Sequence, residues 1–216
     1  MAAPSIPLSS ALPRSSTHSP RLLERAAAAL ALVAVSPVLA GLMGTVRVLS
    51  RRAPLVAHRR VGQFGETLWV FKIRTMWSAH DPSGSGWVEY LSDPVVPDVK
   101  DGNDARVTSR MAAFCRRHSL DELPQLAHVV AGSMQWVGPR PMTQREIDEH
   151  YAGVREEVLS SAPGLTGLWQ VMGRNRLTYP QRRRLDLFLM RRFGWRLCAR
   201  ILLRTVREVV HPRNAW

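Results

Sequence analysis

Two adjacent carboxylates, Asp121 and Glu122, sit in an otherwise basic stretch. Arg116, Arg117 and His118 precede them, and Gly138-Pro139-Arg140-Pro141 follows. An acidic pair among arginines suits chemistry on a phosphate. The guanidinium groups hold the anion, and a carboxylate attacks it or binds a metal. Arg140 stands between two prolines that limit its backbone freedom, which makes it a pre-aimed phosphate clamp; its plainer role is a surface salt bridge. Arg117 either pairs with the acidic dyad and keeps it ionised or is simply solvated. Lys72 and Lys100 are the only lysines against a large excess of arginine, so position 72 carries a compact ammonium where this chain nearly always uses guanidinium. A chance surface lysine is the plainer alternative.

The dyad also has structural readings. Asp121 suits a helix N-cap, with Pro124 in the first turn, and such a helix start itself favours phosphate. Ser119-x-x-Glu122 spells a capping box, which Pro124 fits poorly because it removes a donor inside the helix.

Several elements must position these groups. Residues 1–20 are rich in Ser, Ala and Pro and read as a disordered tail. From Ala26 to Val46 no residue is charged. As a straight helix this run would be about 31 Å long, close to the thickness of the hydrocarbon core. Ser36-Pro37 interrupts it near its middle, and basic residues flank both sides: Arg21 and Arg25, then Arg47, Arg51 and Arg52. Proline kinks a helix, and basic flanks hold both ends on the cytoplasmic side. A broken, re-entrant helix satisfies both facts. A spanning anchor and a cleaved signal peptide are the alternatives.

Leu55 to Met76 reads as a β-hairpin turning at Gly62-Gln63-Phe64-Gly65, with its second strand leading into Lys72, Arg74 and Thr75. Residues 78–103 read as a long loop, either a lid or an insertion. The segment 114–130 reads as helical near and after the dyad, 145–160 as a polar helix with Glu/Arg pairing, and 163–173 as a turn-rich loop. Residues 182–210 mix large apolar side chains with arginines, which fits helices resting on anionic lipid or packed on the core. The fold class that follows is mainly α with a small β-hairpin (α+β).

The net charge is +13. Nucleic acid, an anionic membrane or a phosphorylated substrate would each suit it. Neither interleaved aromatics and basics nor a nucleic-acid motif is present, so no nucleic-acid partner is expected. Cys115 and Cys198 form no disulfide framework, and the seven histidines lack metal-ligand spacing.

Four blocks together resemble the bacterial sugar transferases, the monotopic phosphoglycosyl transferases: Lys72-Ile73-Arg74-Thr75-Met76, Leu120 to Leu126, Gly138-Pro139-Arg140-Pro141, and Pro163-Gly164-Leu165-Thr166-Gly167-Leu168-Trp169-Gln170-Val171. The resemblance runs from about Arg21, after the tail at 1–20, and implies a re-entrant membrane helix at 21–52 with its break at Ser36-Pro37 and a cytosolic catalytic domain at 53–216 with interfacial amphipathic helices, on the cytoplasmic face of the bacterial plasma membrane. It implies transfer of sugar-1-phosphate from a UDP-sugar to polyprenyl (undecaprenyl) phosphate, releasing UMP, in the first step of polysaccharide or glycoconjugate synthesis. Asp121 would be the nucleophile that carries the phospho-sugar. Glu122 would assist proton transfer or place the acceptor phosphate. Mg²⁺ would be the cofactor, with Asp121 its ligand, as the mutual repulsion of two phosphates and a carboxylate also suggests. Lys72, Arg74, Thr75, Arg117, Arg140 and Arg174 would contact phosphate or nucleotide. Anionic lipid is the expected surface partner. The sugar, the polyprenyl length and the oligomeric state are not encoded in these motifs. The chain departs from the family pattern around Met111-Ala112-Ala113, where a glycine is expected, and at His118, where Thr or Tyr is usual.

Overall fold

The computed structural model describes residues 22–77, 86–92, 107, 109–173 and 176–212. The described residues are mostly helical, with two small sheets. The tail at 1–20 and position Arg174 lie outside them.

The apolar run forms helix α1 (Leu22–Ser50), with Pro37 inside it. The Ser36 hydroxyl donates to the Val33 carbonyl at 2.8 Å, next to the site where Pro37 removes a backbone donor. Both ends of α1 are fastened to the same body. Near its start, Arg25 Nε donates to the Val130 carbonyl at 2.8 Å, and Trp136 Nε1 donates to the Glu24 carbonyl at 3.0 Å. Near its end, Val46 packs with Ile73, and Arg47 donates to the Gly86 carbonyl. Between these anchors Leu30, Val33 and Val38 are exposed.

Strands β1 (Leu55–Val61) and β2 (Thr67–Ile73) form the expected antiparallel hairpin, with Val56 opposite Lys72. Its turn places Phe64 and Gly65 at positive φ, and Gly65 reaches that region without a Cβ penalty. The long loop expected at 78–103 contains a strand instead: β3 (Val88–Leu91) pairs parallel to β1, giving the order β2-β1-β3. Strand period places Leu68, Val70 and Lys72 on one face of β2. Leu68 and Val70 pack with Ala28, Val129 and Met134, while Ile73 packs with Leu39 and Val46 of α1.

Helix α2 (Arg110–Arg117) is capped by Ser109, whose hydroxyl accepts from the Ala112 N–H. A 3-10 turn (Leu120–Gln125) follows, then α3 (Leu126–Ala131). Strand β4 (Gln135–Val137) pairs parallel with β5 (Gly164–Thr166), so the segment expected to be a turn-rich loop supplies a strand and then helix α6 (Leu168–Met172). The expected helix at 145–160 is broken. It comprises α4 (Gln144–Glu146), a π turn (Ile147–Tyr151), a 3-10 turn (Ala152–Val154) and α5 (Arg155–Leu159). Its charge pairing is real, with Arg145 Nε 2.6 Å from Glu149 Oε1. The C-terminal stretch divides at Gly194 into α7 (Tyr179–Arg191) and α8 (Trp195–Val210). Ile201 of α8 and Leu189 of α7 are buried with Val137 and Leu168, while Trp195, Leu203, Val206 and Val210 face outward among arginines.

Candidate active site

Pro124 decides the local form of the dyad. It has no N–H to return to the Leu120 carbonyl, so an α-turn cannot close there. The chain takes i→i+3 bonds instead, with the Glu122 N–H donating to the Ser119 carbonyl at 3.1 Å. Ser119 leaves α2 in the left-handed region at φ 55°. Its side chain makes no cap hydrogen bond, so the capping box spelled by Ser119 and Glu122 does not form. Asp121 lies inside the 3-10 turn rather than at an N-cap position.

The turn runs beside β2, the edge strand of its sheet. The edge is partly satisfied by His128 of α3, whose Nε2 accepts from the Phe71 N–H at 3.2 Å. Burial holds the His128 pKa below its usual value, so the ring stays neutral and can accept. One residue further along β2, Lys72 Nζ meets Glu122 Oε1 at 2.6 Å. Arg140 Nη1 approaches the same Glu122 oxygen at 3.7 Å. Asp121 is only 8% exposed. Its charge reaches the buried Cys115 thiol, which is pushed up to about 11 by burial first and by Asp121 second.

The loop that carries Arg140 is set by two glycines. Gly138 donates to the Thr166 carbonyl at 2.9 Å, and Gly164 donates to the Pro139 carbonyl at 2.8 Å. A Cβ on Gly164 would stand 2.1 Å from the Gly138 nitrogen. Only glycine permits that approach. Beyond the loop, Thr143 and Glu146 form a reciprocal capping box. Glu146 also accepts from the Tyr179 hydroxyl at 3.2 Å. Although burial opposes its ionisation, the Thr143 N–H and the charges of Arg140 and Arg60 hold its pKa below the usual carboxylate value. Glu146 is therefore an anionic support behind Arg140. The sequence spelled its capping box but gave no sign of its place beside the arginine.

The structure thus brings Lys72, Glu122 and Arg140 together beside Asp121. Arg74 is turned elsewhere: it is buried, donates through Nε to the Ala53 carbonyl at 2.8 Å and pairs with Glu89 of β3. Thr75 is buried next to it. Arg117 is exposed at the end of α2 and makes no ion pair with the dyad among the described residues. Trp169 is buried, and Arg140 and Arg182 both lie against its ring. Arg182, Tyr179, Tyr151 and Asp186 were not anticipated. Their one local signal is the helical spacing of Arg182 and Asp186.

No three His, Cys, Asp or Glu side chains gather to cage a metal among the described residues. Magnesium needs no such cage when one or two carboxylates and substrate phosphates supply its oxygens. A buried carboxylate beside paired cations suits that arrangement.

The family model for bacterial sugar transferases matches residues 15–212. The chain is 36% identical to the exopolysaccharide production protein ExoY of Sinorhizobium fredii, over 88% of this chain and 84% of that protein. It is 38% identical to a UDP-galactose-lipid carrier transferase of Erwinia amylovora, over 92% of this chain and 43% of the relative. It is 34% identical to the undecaprenyl-phosphate galactose phosphotransferase of Salmonella typhimurium, over 94% of this chain and 43% of the relative. The chain therefore spans less than half of these last two proteins and most of the first. With a family model matching residues 15–212 and relatives matching most of its length, the chain belongs to the bacterial sugar transferase family.

Proposed function

We propose that this protein transfers sugar-1-phosphate from a UDP-sugar to polyprenyl phosphate in two displacements through Asp121. The observation that carries the reading is the convergence of Lys72, from β2, and Arg140, from the loop after β4, on Glu122 next to the buried Asp121. The donor and acceptor classes come from the names of the relatives, a UDP-galactose-lipid carrier transferase and an undecaprenyl-phosphate galactose phosphotransferase.

In the first displacement an Asp121 carboxylate oxygen bonds to the sugar-side phosphorus of the donor. The bond from that phosphorus to the bridging oxygen breaks, and UMP leaves with the electron pair. In the second, an acceptor phosphate oxygen bonds to the same phosphorus, and Asp121 departs as the carboxylate. The products are polyprenyl-diphosphate-sugar and UMP. Lys72 and Arg140 neutralise phosphate oxygens as charge develops, and Glu122 holds both cations before substrate arrives. The burial of Asp121 strips water from the nucleophile and limits hydrolysis of the acyl-phosphate. Mg²⁺, held by Asp121 and the diphosphate, would supply further charge neutralisation.

The membrane reading rests on α1. Its two ends are fastened to one body while its middle exposes apolar side chains. That arrangement supports a re-entrant helix, and the basic residues flanking the apolar run favour entry from the cytoplasmic face. The outward Trp195, Leu203, Val206 and Val210 of α8, set among arginines, support contact with anionic lipid.

The test is UMP release from a panel of UDP-sugars by membrane-reconstituted protein with Mg²⁺ and undecaprenyl phosphate, beside Asp121→Asn. Release by wild type alone is expected. Turnover in the variant would remove Asp121 as the nucleophile.

A further inference from the structure

Trp169 joins two arginines, and one of them has no role in the chemistry described so far. Arg140 Cζ lies 5.9 Å from the centroid of the indole, and Arg182 Cζ lies 4.8 Å from it. Arg182 is also 5.0 Å from the Tyr179 ring, and its Nε donates to the Leu177 carbonyl at 3.0 Å. These contacts fix the plane of the guanidinium. They leave the terminal nitrogens of its fork with no hydrogen-bond acceptor among the described residues.

The nearby carboxylate does not take up that fork. Asp186 lies one helical turn along α7, and Arg182 acts on it only through space. The Oδ2 atom of Asp186 accepts from the Tyr151 hydroxyl at 2.9 Å, and its Oδ1 atom has no hydrogen-bond partner among the described residues. Glu146, which supports Arg140, spends its oxygens on the Thr143 N–H and on the Tyr179 hydroxyl. A half-buried guanidinium of fixed plane with an unspent fork is preorganised for an oxyanion. It shares its supporting ring with the arginine that reaches Glu122.

We propose that Arg182 is a donor-contact residue whose fork takes the nucleotide-side phosphate of a nucleoside diphosphate. Lys72 and Arg140 take the sugar-side phosphate beside Asp121. This assignment rests on the reaction proposed above. It adds a second anion subsite, built on Trp169 and Tyr179, that sets affinity for the donor and leaves the acceptor untouched. Arginine is required there because lysine has neither the planar fork nor the stacking face.

The experiment uses the full chain in lipid nanodiscs, with UDP and UMP as binding probes, and compares wild type with Arg182→Lys and Arg182→Met. Both variants are expected to weaken UDP binding by about tenfold or more, the size of a lost charge-assisted contact. UMP binding should weaken by a similar factor, because UMP keeps the phosphate that the fork takes. The KM for the UDP-sugar should rise with the UDP dissociation constant, while the KM for polyprenyl phosphate stays unchanged. Should Arg182→Met fail to fold, Arg182→Lys carries the comparison, since it keeps the charge and stem. UDP affinity and donor KM equal to wild type in the folded variants would overturn the subsite. Failure of the underlying reaction looks different. A wild type that binds UDP but releases no UMP from any UDP-sugar removes the reaction, and the Arg182 effect on UDP affinity still supports the subsite.

Discussion

Lys72 Nζ lies 2.6 Å from Glu122 Oε1, so the end of β2 is fastened to the 3-10 turn that also carries Asp121. Arg140 stands 3.7 Å from the same oxygen. In the proposed reaction, a carboxylate with two cations on one oxygen would keep them near Asp121 and give one up when a phosphate arrives. Lys72→Met should lower kcat/KM for the donor by about 10- to 100-fold, the range expected for losing a contact to a charged group. Lys72→Arg should restore part of it. An unchanged rate in Lys72→Met would reduce the pair to a structural tie.

Asp121 can be located without any turnover measurement. The Cys115 thiol is pushed up to about 11, mainly by burial and secondarily by the Asp121 charge. Asp121→Asn removes the second cause and leaves the first. In a Cys198→Ser background, thiolate absorbance against pH should show Cys115 titrating lower in the variant, yet still above an ordinary cysteine. An unmoved titration would separate the two side chains.

Asp186 should make stability depend on pH. Burial pushes its carboxyl up to about 7, well above an unfolded aspartate, and the Tyr151 hydroxyl and the Arg182 charge only partly oppose that. The folded chain therefore binds the proton more tightly than the unfolded chain. The Asp186 contribution is fully present below the unfolded pKa near 4 and is lost as pH rises through about 7. Asp186→Asn imitates the neutral carboxyl. It should flatten this dependence and leave the variant more stable than wild type at pH about 8, by an amount on the order of a few kcal/mol. Melting curves across pH would show it, and equal slopes in both proteins would refute it.

The local parts of this fold were legible because local chemistry determines them. β-prone residues on either side of a Gly-Gln-Phe-Gly turn mark the hairpin, and an uncharged run with Ser36-Pro37 marks α1. Pro124 already argued against a helical capping box at Ser119, and the 3-10 turn confirms its objection. Strand β3 was missed because four residues pairing with β1 from a distance leave no periodic signal. The 163–173 segment read as loop because its glycines imitate turn chemistry, whereas Gly164 and Gly167 serve close backbone contact with Gly138, just after β4. Arg74 looked like a phosphate ligand because of its neighbours in sequence, yet Glu89, on the unforeseen strand, engages it. Asp186 reads as one polar residue in a helical pattern, and its burial depends on Tyr151 from a separate segment.

Gly164 should tolerate no side chain. A Cβ there would lie 2.1 Å from the Gly138 nitrogen and 2.6 Å from the Thr166 oxygen, and both are backbone atoms that cannot step aside. Gly164→Ala should destabilise the fold by about 1–3 kcal/mol or more and displace the Arg140 loop, costing activity beyond the stability loss. Gly41→Ala is the control, since nothing lies within 4 Å of a Cβ there. Thermal melts and UMP release on the two variants give opposite expected outcomes, and equal behaviour would undo the close-approach argument.

The two ends of α1 should face the same side of the membrane. Arg25 and Glu24 are fastened to Val130 and Trp136, and Arg47 to Gly86, all on one body. A straight span would place one of these ends across the bilayer from the other, breaking contacts on one side. A re-entrant path keeps both sets and places the exposed Leu30, Val33 and Val38 in lipid. Leu22→Cys and Val48→Cys, made singly in a Cys115→Ser, Cys198→Ser background, introduce thiols at exposed positions near the two ends. An impermeant maleimide should label both in inside-out vesicles and neither in intact spheroplasts. Labelling of one thiol from each side would establish a span, and the contacts at one end of α1 would then have to open when the chain enters the membrane.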